Sequence, residues 1–150
     1  MNIAVGCDHA GFPLKLTVVQ EIKLRGHVPL DLGTSDESPV DYPDYASLVC
    51  KAVLSGKAHR GIVLCGSGIG ACITSNKFKG IRAGTCHDTY SASQSVEHDD
   101  LNVLCIGARV IGPLLAQSIV TAFLNAKFSN EDRHLRRLAK ISVVEKEQMR

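Results

Sequence analysis

Short apolar runs rich in β-branched residues alternate with longer amphipathic stretches along most of the chain. The short runs predict buried strands, and the longer stretches predict helices. The predicted strands are 3–7, 28–32, 61–65, 81–85 and 103–106. The predicted helices between them are 13–25, 43–55, 70–77, 89–98 and 113–126. This alternation indicates an α/β fold, a single three-layer, Rossmann-like domain with a five-stranded parallel sheet and helices on both faces.

The segment 129–150 predicts one more helix, with no strand after it. Ser129 can cap its N-terminus. Apolar residues recur along one face, at Leu135, Leu138, Ile141 and Val144. Such a stripe docks either on its own domain or on a second subunit, and the pattern favours neither. No repeat or low-complexity segment interrupts the chain, so we expect one domain over residues 1–150.

Polar or glycine-rich clusters follow four of the predicted strands, at 8–11, 33–35, 66–70 and 86–88. In parallel α/β sheets, ligands bind outside the carboxyl ends of the strands, where the strand order reverses. Packing does not explain four such clusters at one edge. We therefore expect the functional site at the carboxyl edge of the sheet.

The third cluster carries the most specific chemistry. Strand 61–65 ends in Cys65, and the loop Gly66-Ser-Gly-Ile-Gly70 leads directly into a helix. Closely spaced glycines let successive backbone amides converge on an anion or a developing oxyanion, and the helix start adds positive potential. The same field favours the thiolate of Cys65. A base beside an oxyanion site suits proton transfer next to a carbonyl, although a structural turn with a buried thiol is about equally consistent with this segment alone.

Related glycine motifs do not fit this loop. A dinucleotide site needs its third glycine one position later than Gly70, and a P-loop needs Gly-Lys-Ser/Thr. A cysteine phosphatase would need an arginine where Ala71 stands.

Composition excludes several other classes. The net charge of +2 is too small to indicate nucleic-acid binding. No apolar run approaches the roughly 20 residues of a membrane helix, and the first residues lack the features of a signal peptide. The six cysteines contain no C-x-x-C pair, so neither a zinc knuckle nor a thioredoxin-like site is predicted. We expect free thiols and a cytoplasmic protein.

The motifs together resemble the ribose-5-phosphate isomerase type B family, which includes galactose-6-phosphate and allose-6-phosphate isomerases. The matching segments are 6–12, 41–43, 65–70, 76–77, 90–92, 98, 102–104, 107–109 and Arg133-His-x-x-Arg137. They span nearly the whole chain. The resemblance implies an aldose–ketose isomerase of the pentose phosphate pathway, without metal or cofactor. It also implies a homodimer, or a dimer of dimers, whose active sites are shared between subunits.

By that resemblance, Cys65 moves a proton between C2 and C1 through a cis-enediolate, assisted by Ser67. His98 opens the furanose ring. The resemblance assigns the remaining substrate contacts to Asp8, His9, Gly66, Ser67, Gly68, Ile69, Gly70, Asp99, Arg109, Arg133 and Arg137. From pattern alone, Asp8 can equally cap the first helix, His98 can cap a helix end, and the two terminal arginines are typical of a solvated face.

Two positions stand apart from the family pattern. Asp99 occupies a place where many relatives have Asn, and a carboxylate there repels a phosphate or enediolate unless a cation offsets it. His87 matches no family role, and we expect a surface histidine. The resemblance implies ribose 5-phosphate and ribulose 5-phosphate as substrates, with another aldose phosphate of four or six carbons as the alternative. The remaining alternative is a sensor that binds a phosphosugar without catalysis, but binding alone does not require the base at Cys65.

Overall fold

A computed structural model describes residues 1–148. Five strands and six helices alternate along the chain. The strands are β1 (Asn2–Cys7), β2 (Val28–Asp31), β3 (Arg60–Cys65), β4 (Ala83–Thr85) and β5 (Val103–Gly107). The helices are α1 (Phe12–Leu24), α2 (Tyr42–Leu54), α3 (Ile69–Ser75), α4 (Thr89–Asp99), α5 (Pro113–Asn125) and α6 (Asp132–Gln148). In the described part of the chain, no helix is long and apolar enough to cross a membrane.

All strand pairs are parallel, in the order β2-β1-β3-β5-β4. The buried side chains of α1, α4 and α5 form one core cluster with alternate strand residues such as Ile3 and Ile62. Those of α2 and α3 form a second cluster with Ala4 and Val63. Because neighbouring strand residues point to opposite faces, these two clusters are the two faces of the sheet. The predicted three-layer α/β fold is confirmed.

The sheet has its switch point between β1 and β3. From β1 the chain moves outward to β2, and it then returns to β3 on the other side of β1. The loops after β1 and β3 therefore diverge at neighbouring positions of the carboxyl edge. This divergence leaves the crevice in which open α/β sheets bind their ligands.

The fourth strand is shorter than the sequence predicts, because Ile81 and Arg82 precede the ladder. The amide of Ile81 donates to the carbonyl of Phe78 in a turn, at 3.0 Å. The amide of Arg82 donates to Oδ1 of Asn102, at 2.8 Å. Ile81 is nevertheless buried, so the apolar pattern predicted its place in the core correctly. The prediction that its backbone belongs to the strand was wrong.

The terminal helix α6 packs against α4. It begins at Asp132 rather than at Ser129, and the predicted end of the helix at residues 149 and 150 lies outside the described residues. Ser129 is not the N-cap, because the carbonyl of Glu131 accepts the first helical bond, from the Leu135 amide at 3.0 Å. The Ser129 hydroxyl instead binds the His134 ring at 2.6 Å and accepts the Glu131 amide at 3.2 Å. The apolar stripe stays largely uncovered within one chain, with exposed fractions of 45% at Leu135 and 48% at Ile141.

Candidate active site

A pocket of about 470 Å³ lies at the switch point. The ends of β1 and β3 contribute its floor, and the loop after β5 and the start of α2 contribute its sides. It is lined by Asp8, His9, Ala10, Tyr42, Cys65, Gly66, Ser67, Gly70, Arg109 and Val110. Seven of these were predicted as site residues. We call Asp8, His9, Cys65, Gly66, Ser67, Gly70 and Arg109 the pocket cluster.

Cys65 is the last residue of β3, and its side chain is 3% exposed. The amide of Gly68 donates to its Sγ at 3.1 Å. Gly68 has φ +81°, a left-handed backbone that turns this amide toward the sulfur. An N–H donor aimed at the sulfur stabilises negative charge on it. The loop therefore contacts the sulfur of Cys65 directly, a contact that the sequence did not predict.

Ser67 lies at the exposed mouth of the same loop. Its Oγ accepts the amide of Ile69 at 3.3 Å. Its backbone rests against the end of β5, where a Cβ at Gly107 would come within 2.6 Å of the Ser67 carbonyl. From below, the hydroxyl of Thr85 donates to the carbonyl of Gly68 at 3.2 Å. The loop is therefore held by one internal hydrogen bond and by contacts with β5 and Thr85, which fix its amides before any ligand arrives.

The aromatic ring of Tyr42 covers Gly70. A Cβ at Gly70 would come within 2.5 Å of the tyrosine ring, so only glycine permits this approach. Tyr42 is 39% exposed and forms one side of the pocket. The sequence marked Tyr42 only as part of a motif and gave it no role.

Asp8 and His9 reach the pocket from the loop after β1. Asp8 is 5% exposed, and its Oδ1 accepts the amide of Gly11, the N-cap residue of α1, at 2.8 Å. The capping alternative for Asp8 is wrong, because Gly11 is the N-cap and no side chain caps α1. The carboxylate instead organises the turn before α1 while it lines the pocket. The His9 ring is anchored by the backbone of Val40, 3.1 Å from Nδ1.

Arg109 supplies a cation at the opposite side of the pocket. Its amide donates to the carbonyl of Gly66 at 3.0 Å, and the amide of Ala108 donates to that of Cys65 at 2.8 Å. The guanidinium passes over Gly66. Among residues 1–148, no carboxylate lies within ion-pair distance of it. An uncompensated guanidinium beside a pocket suits an anionic group of a ligand.

Gly68 and Ile69 stay where the loop enters α3 and do not line the pocket. The remaining four predicted residues lie at the amino edge of the sheet. Helix α4 starts after the end of β4 and runs back to the start of β5, so its last residues, His98 and Asp99, lie at that edge. Helix α6 packs beside them and brings Arg133 and Arg137. We call His98, Asp99, Arg133 and Arg137 the helix cluster. Within one chain, the structure does not bring the helix cluster to the pocket.

The helix cluster has its own contacts. The rings of His98 and His134 stack with centroids 4.1 Å apart. Arg133 pairs with Glu131 at 2.8 Å, but both side chains are about half exposed, so this pair adds little stability. Asp99 is exposed, and its carbonyl accepts from the Arg82 side chain at 3.1 Å. Sequence reasoning missed His134, although it stands inside the Arg133-His-x-x-Arg137 motif.

His87 is not the surface histidine that we expected. It is half-buried, and its Nε2 accepts the amide of Gly107 at 2.9 Å. This bond holds the end of β5 against the Ser67 loop. His87 therefore supports the pocket indirectly, through the end of β5 on which the Ser67 loop rests.

All six cysteines are free, and Cys65 is not the sole candidate for a reactive thiol. A hydrogen bond with Cys105 lowers the pKa of the half-buried Cys72 to about 6, despite the opposing effect of burial. Burial raises the pKa of Cys7 to about 11. Thiol reagents will therefore also modify Cys72, and substitutions are the cleaner probe of Cys65. Within residues 1–148, no group of three or more His, Cys, Asp or Glu side chains is arranged to hold a metal ion.

Known proteins match this architecture over almost its full length. Ribose-5-phosphate isomerase B of Escherichia coli is 46% identical over 144 residues, which are 96% of each chain. D-erythrulose-4-phosphate isomerase of Pectobacterium atrosepticum is 45% identical over 130 residues, 85% of each chain. The structure of ribose-5-phosphate isomerase B from Clostridium thermocellum, at 45% identity, superposes with a TM-score of 0.94 and covers 98% of this chain and 99% of that chain.

The resemblance seen in the motifs is thus confirmed by the whole chain and by the fold. Residues 3–141 match the family described as Ribose/Galactose Isomerase. The chain belongs to this family, and it is an aldose–ketose isomerase of phosphosugars.

Proposed function

We propose that this isomerase interconverts ribose 5-phosphate and ribulose 5-phosphate, with Cys65 as the base. The observation that supports this most directly is the buried Cys65 Sγ, which faces the pocket and accepts the Gly68 amide at 3.1 Å. The thiolate removes the proton from C2 of the open aldose, and the resulting cis-enediolate takes it back at C1. The proton on O2 moves to O1 in the same sequence, with Ser67 assisting at the sugar oxygens.

The pocket can hold the enediolate and the phosphate at different places. The loop amides from Gly66 to Gly70 lie beside the sulfur, where the enediolate oxygens form. Arg109 and His9 offer donors at the sides of the pocket. Arg133 and Arg137 would complete the phosphate site, because charge-assisted bonds from guanidinium groups are among the strongest that a phosphate can accept.

We infer a homodimer, because the two clusters lie at opposite edges of the sheet in one chain. A second copy can set its helix cluster over the pocket cluster of the first. Two-fold symmetry then completes both sites at once. The exposed apolar residues of α6, among them Leu135 and Ile141, supply surface for such an interface. With this arrangement His98 of one chain opens the ring of a sugar held by the other.

We place the enzyme in the cytoplasm, where its free thiols remain reduced.

Another aldose phosphate is the second candidate for the substrate. The relative at 45% identity is named for a four-carbon sugar phosphate, D-erythrulose 4-phosphate. Asp99 also adds a carboxylate to the helix cluster, and this changes the charge that this cluster would present to a sugar. Both facts bear on the length of the sugar and leave the reaction type unchanged.

The experiment is a rate assay of purified protein on four-, five- and six-carbon aldose phosphates, with Cys65→Ala and Cys50→Ala in parallel. Cys50 is a buried thiol of the α2 core, outside the pocket. We expect the highest kcat/KM for ribose 5-phosphate. Loss of the base in Cys65→Ala should cost at least about 10²-fold, whereas Cys50→Ala keeps its rate. A larger kcat/KM for another sugar would reassign the substrate, and near-full turnover by Cys65→Ala would reject the base.

A further inference from the structure

His134 is fully buried, whereas the other five histidines retain some exposure. It lies in the first turn of α6, between Arg133 and the other residues of the helix cluster. Its ring stacks on that of His98 with a centroid distance of 4.1 Å and planes inclined by 25°. The proposed function gives this side chain no task.

The contacts of Ser129 define where His134 carries its proton. The Ser129 Oγ accepts the amide of Glu131 at 3.2 Å and lies 2.6 Å from Nδ1 of His134. We assign the Ser129 hydroxyl as the donor to Nδ1, which places the proton of the neutral ring on Nε2. That Nε2 has no hydrogen-bond partner among residues 1–148. A phenyl ring would fill the same space without a buried, unpaired N–H, so packing alone does not require an imidazole here.

Two contacts hold the His98 ring: a hydrogen bond to a ring nitrogen and a stack against the ring plane. The amide nitrogen of Gln94 lies 3.0 Å from Nδ1 of His98 and can only donate, which leaves the proton of the neutral His98 ring on Nε2. The stack with His134 fixes the plane of the same ring. These two contacts therefore set both the tautomer and the direction of Nε2–H.

We propose that His134 is a positioning residue for sugar-ring opening, which holds the His98 imidazole in place through a stack whose orientation Ser129 fixes. The inference rests on the proposed function, because it takes His98 as the group that opens the ring. In that step His98 Nε2 gives its proton to the furanose ring oxygen as the bond from C1 to that oxygen breaks. The anomeric hydroxyl returns a proton to His98, and C1 becomes the aldehyde. A neutral His134 beneath the ring adds no further positive charge to those of Arg133 and Arg137 nearby.

The test compares two reactions of the same enzyme. Turnover of ribose 5-phosphate needs ring opening, whereas deuterium exchange at C1 of ribulose 5-phosphate does not, because this ketose cannot close a comparable ring. We expect His134→Phe and the milder Ser129→Ala to slow aldose turnover on the order of tenfold, through misplacement of His98, and to change C1 exchange by less than twofold. Lys140→Ala, on the exposed face of α6, serves as the matched control and should change neither reaction.

A double-mutant cycle separates positioning from structural damage. In a His98→Asn background, His134→Phe should add no further loss of aldose turnover, because the residue it positions is already gone. Additive losses, or equal losses in both reactions, would overturn the role of His134. If His98→Asn alone slowed both reactions equally, ring opening by His98 would be wrong. If His134→Phe fails to fold, Ser129→Ala carries the same comparison with the imidazole still present, and unchanged aldose turnover in Ser129→Ala would overturn the inference.

Discussion

The backbone amide of Gly68 donates to the Sγ of Cys65 at 3.1 Å, so the thiol and the loop that follows it form one unit. The contact depends on the left-handed backbone of Gly68. It also depends on the layer beneath, where the Thr85 hydroxyl binds the Gly68 carbonyl. The sulfur that serves as the proposed base is thus held by a glycine rather than by another side chain.

The substitution Gly68→Ala should therefore reduce activity more than stability. A left-handed alanine costs about 1–2 kcal/mol. The new Cβ would also lie 3.0 Å from the Thr85 methyl group and 3.1 Å from the Gly107 amide, so the loop must move away from Cys65. We expect kcat to fall on the order of 10²-fold, as it does when an aligned donor is lost from a catalytic site. Steady-state kinetics and urea unfolding measure the two effects.

Gly26→Ala is the matched control for this substitution. Gly26 has φ +75°, close to that of Gly68, but a Cβ there meets nothing within 4 Å. It should lose a similar amount of stability and retain its kcat. If both variants lost kcat equally, the effect would be one of general stability and the Gly68–Cys65 contact would have no part in catalysis.

The fold could be predicted from the sequence because strand and helix patterns are local, and the pocket cluster followed because strand ends meet at one edge. The helix cluster was different. His98 and Arg137 appeared with Cys65 in one set of motifs, but the direction of α4 sends His98 to the opposite edge, and no local pattern reports that separation. His134 was missed because the sequence alone does not distinguish a buried, stacked histidine from an exposed one. Tyr42 was missed because its contact with Gly70 joins residues far apart in the sequence.

The separation of the two clusters predicts that two inactive variants can restore each other. A dimer of one Cys65→Ala chain and one His98→Asn chain would contain one site with both native residues and one with neither. Random pairing of equal amounts makes about half of the dimers mixed, so co-expression should restore about a quarter of wild-type activity if sites are shared between two-fold related chains. The rate is measured per total protein after co-purification with two different tags.

Two outcomes bear on the shared site. Recovery near a quarter supports the exchange of His98 between chains. No recovery, with a mixed dimer demonstrated by the two tags, would mean that each chain builds its site alone. The two variants mixed after purification, without subunit exchange, provide the baseline.

The buried His134 predicts an acid-dependent loss of stability. Desolvation lowers its pKa, and the nearby charges of His98, Arg133 and Arg137 act in the same direction, while Glu131 opposes them. The unfolded chain takes up a proton as the pH falls through about 6.5, but the folded chain resists until a lower pH. Stability linked to this group is therefore full above about pH 6.5 and declines as the pH falls below it.

Urea unfolding at pH 7.5 and pH 5.5 measures this decline. In His134→Phe, the difference in the free energy of unfolding between the two pH values should shrink, whatever the absolute stability of the variant. Burial also lowers the pKa of His27, with the N-terminus and Arg60 acting in the same direction, so His27→Phe is measured as well and should remove a separate part of the difference. An unchanged pH difference in His134→Phe would show that His134 is not neutral and buried in solution.

The arginines of α6 should act on affinity for the phosphate rather than on the proton transfer. Arg137→Ala and Arg133→Ala each remove a charge-assisted contact of roughly 1.5–3 kcal/mol, which corresponds to a rise in KM of about 10- to 100-fold with a smaller change in kcat. Loss of the Arg133–Glu131 pair should add no measurable instability, because both side chains are about half exposed. Arg136→Ala changes the same charge on an exposed residue of the same helix and should leave KM unchanged.

Inorganic phosphate should compete with substrate in wild type and compete less well in Arg133→Ala and Arg137→Ala. If KM rose equally in all three variants, the helix would attract the substrate by its net charge alone, without a defined phosphate site.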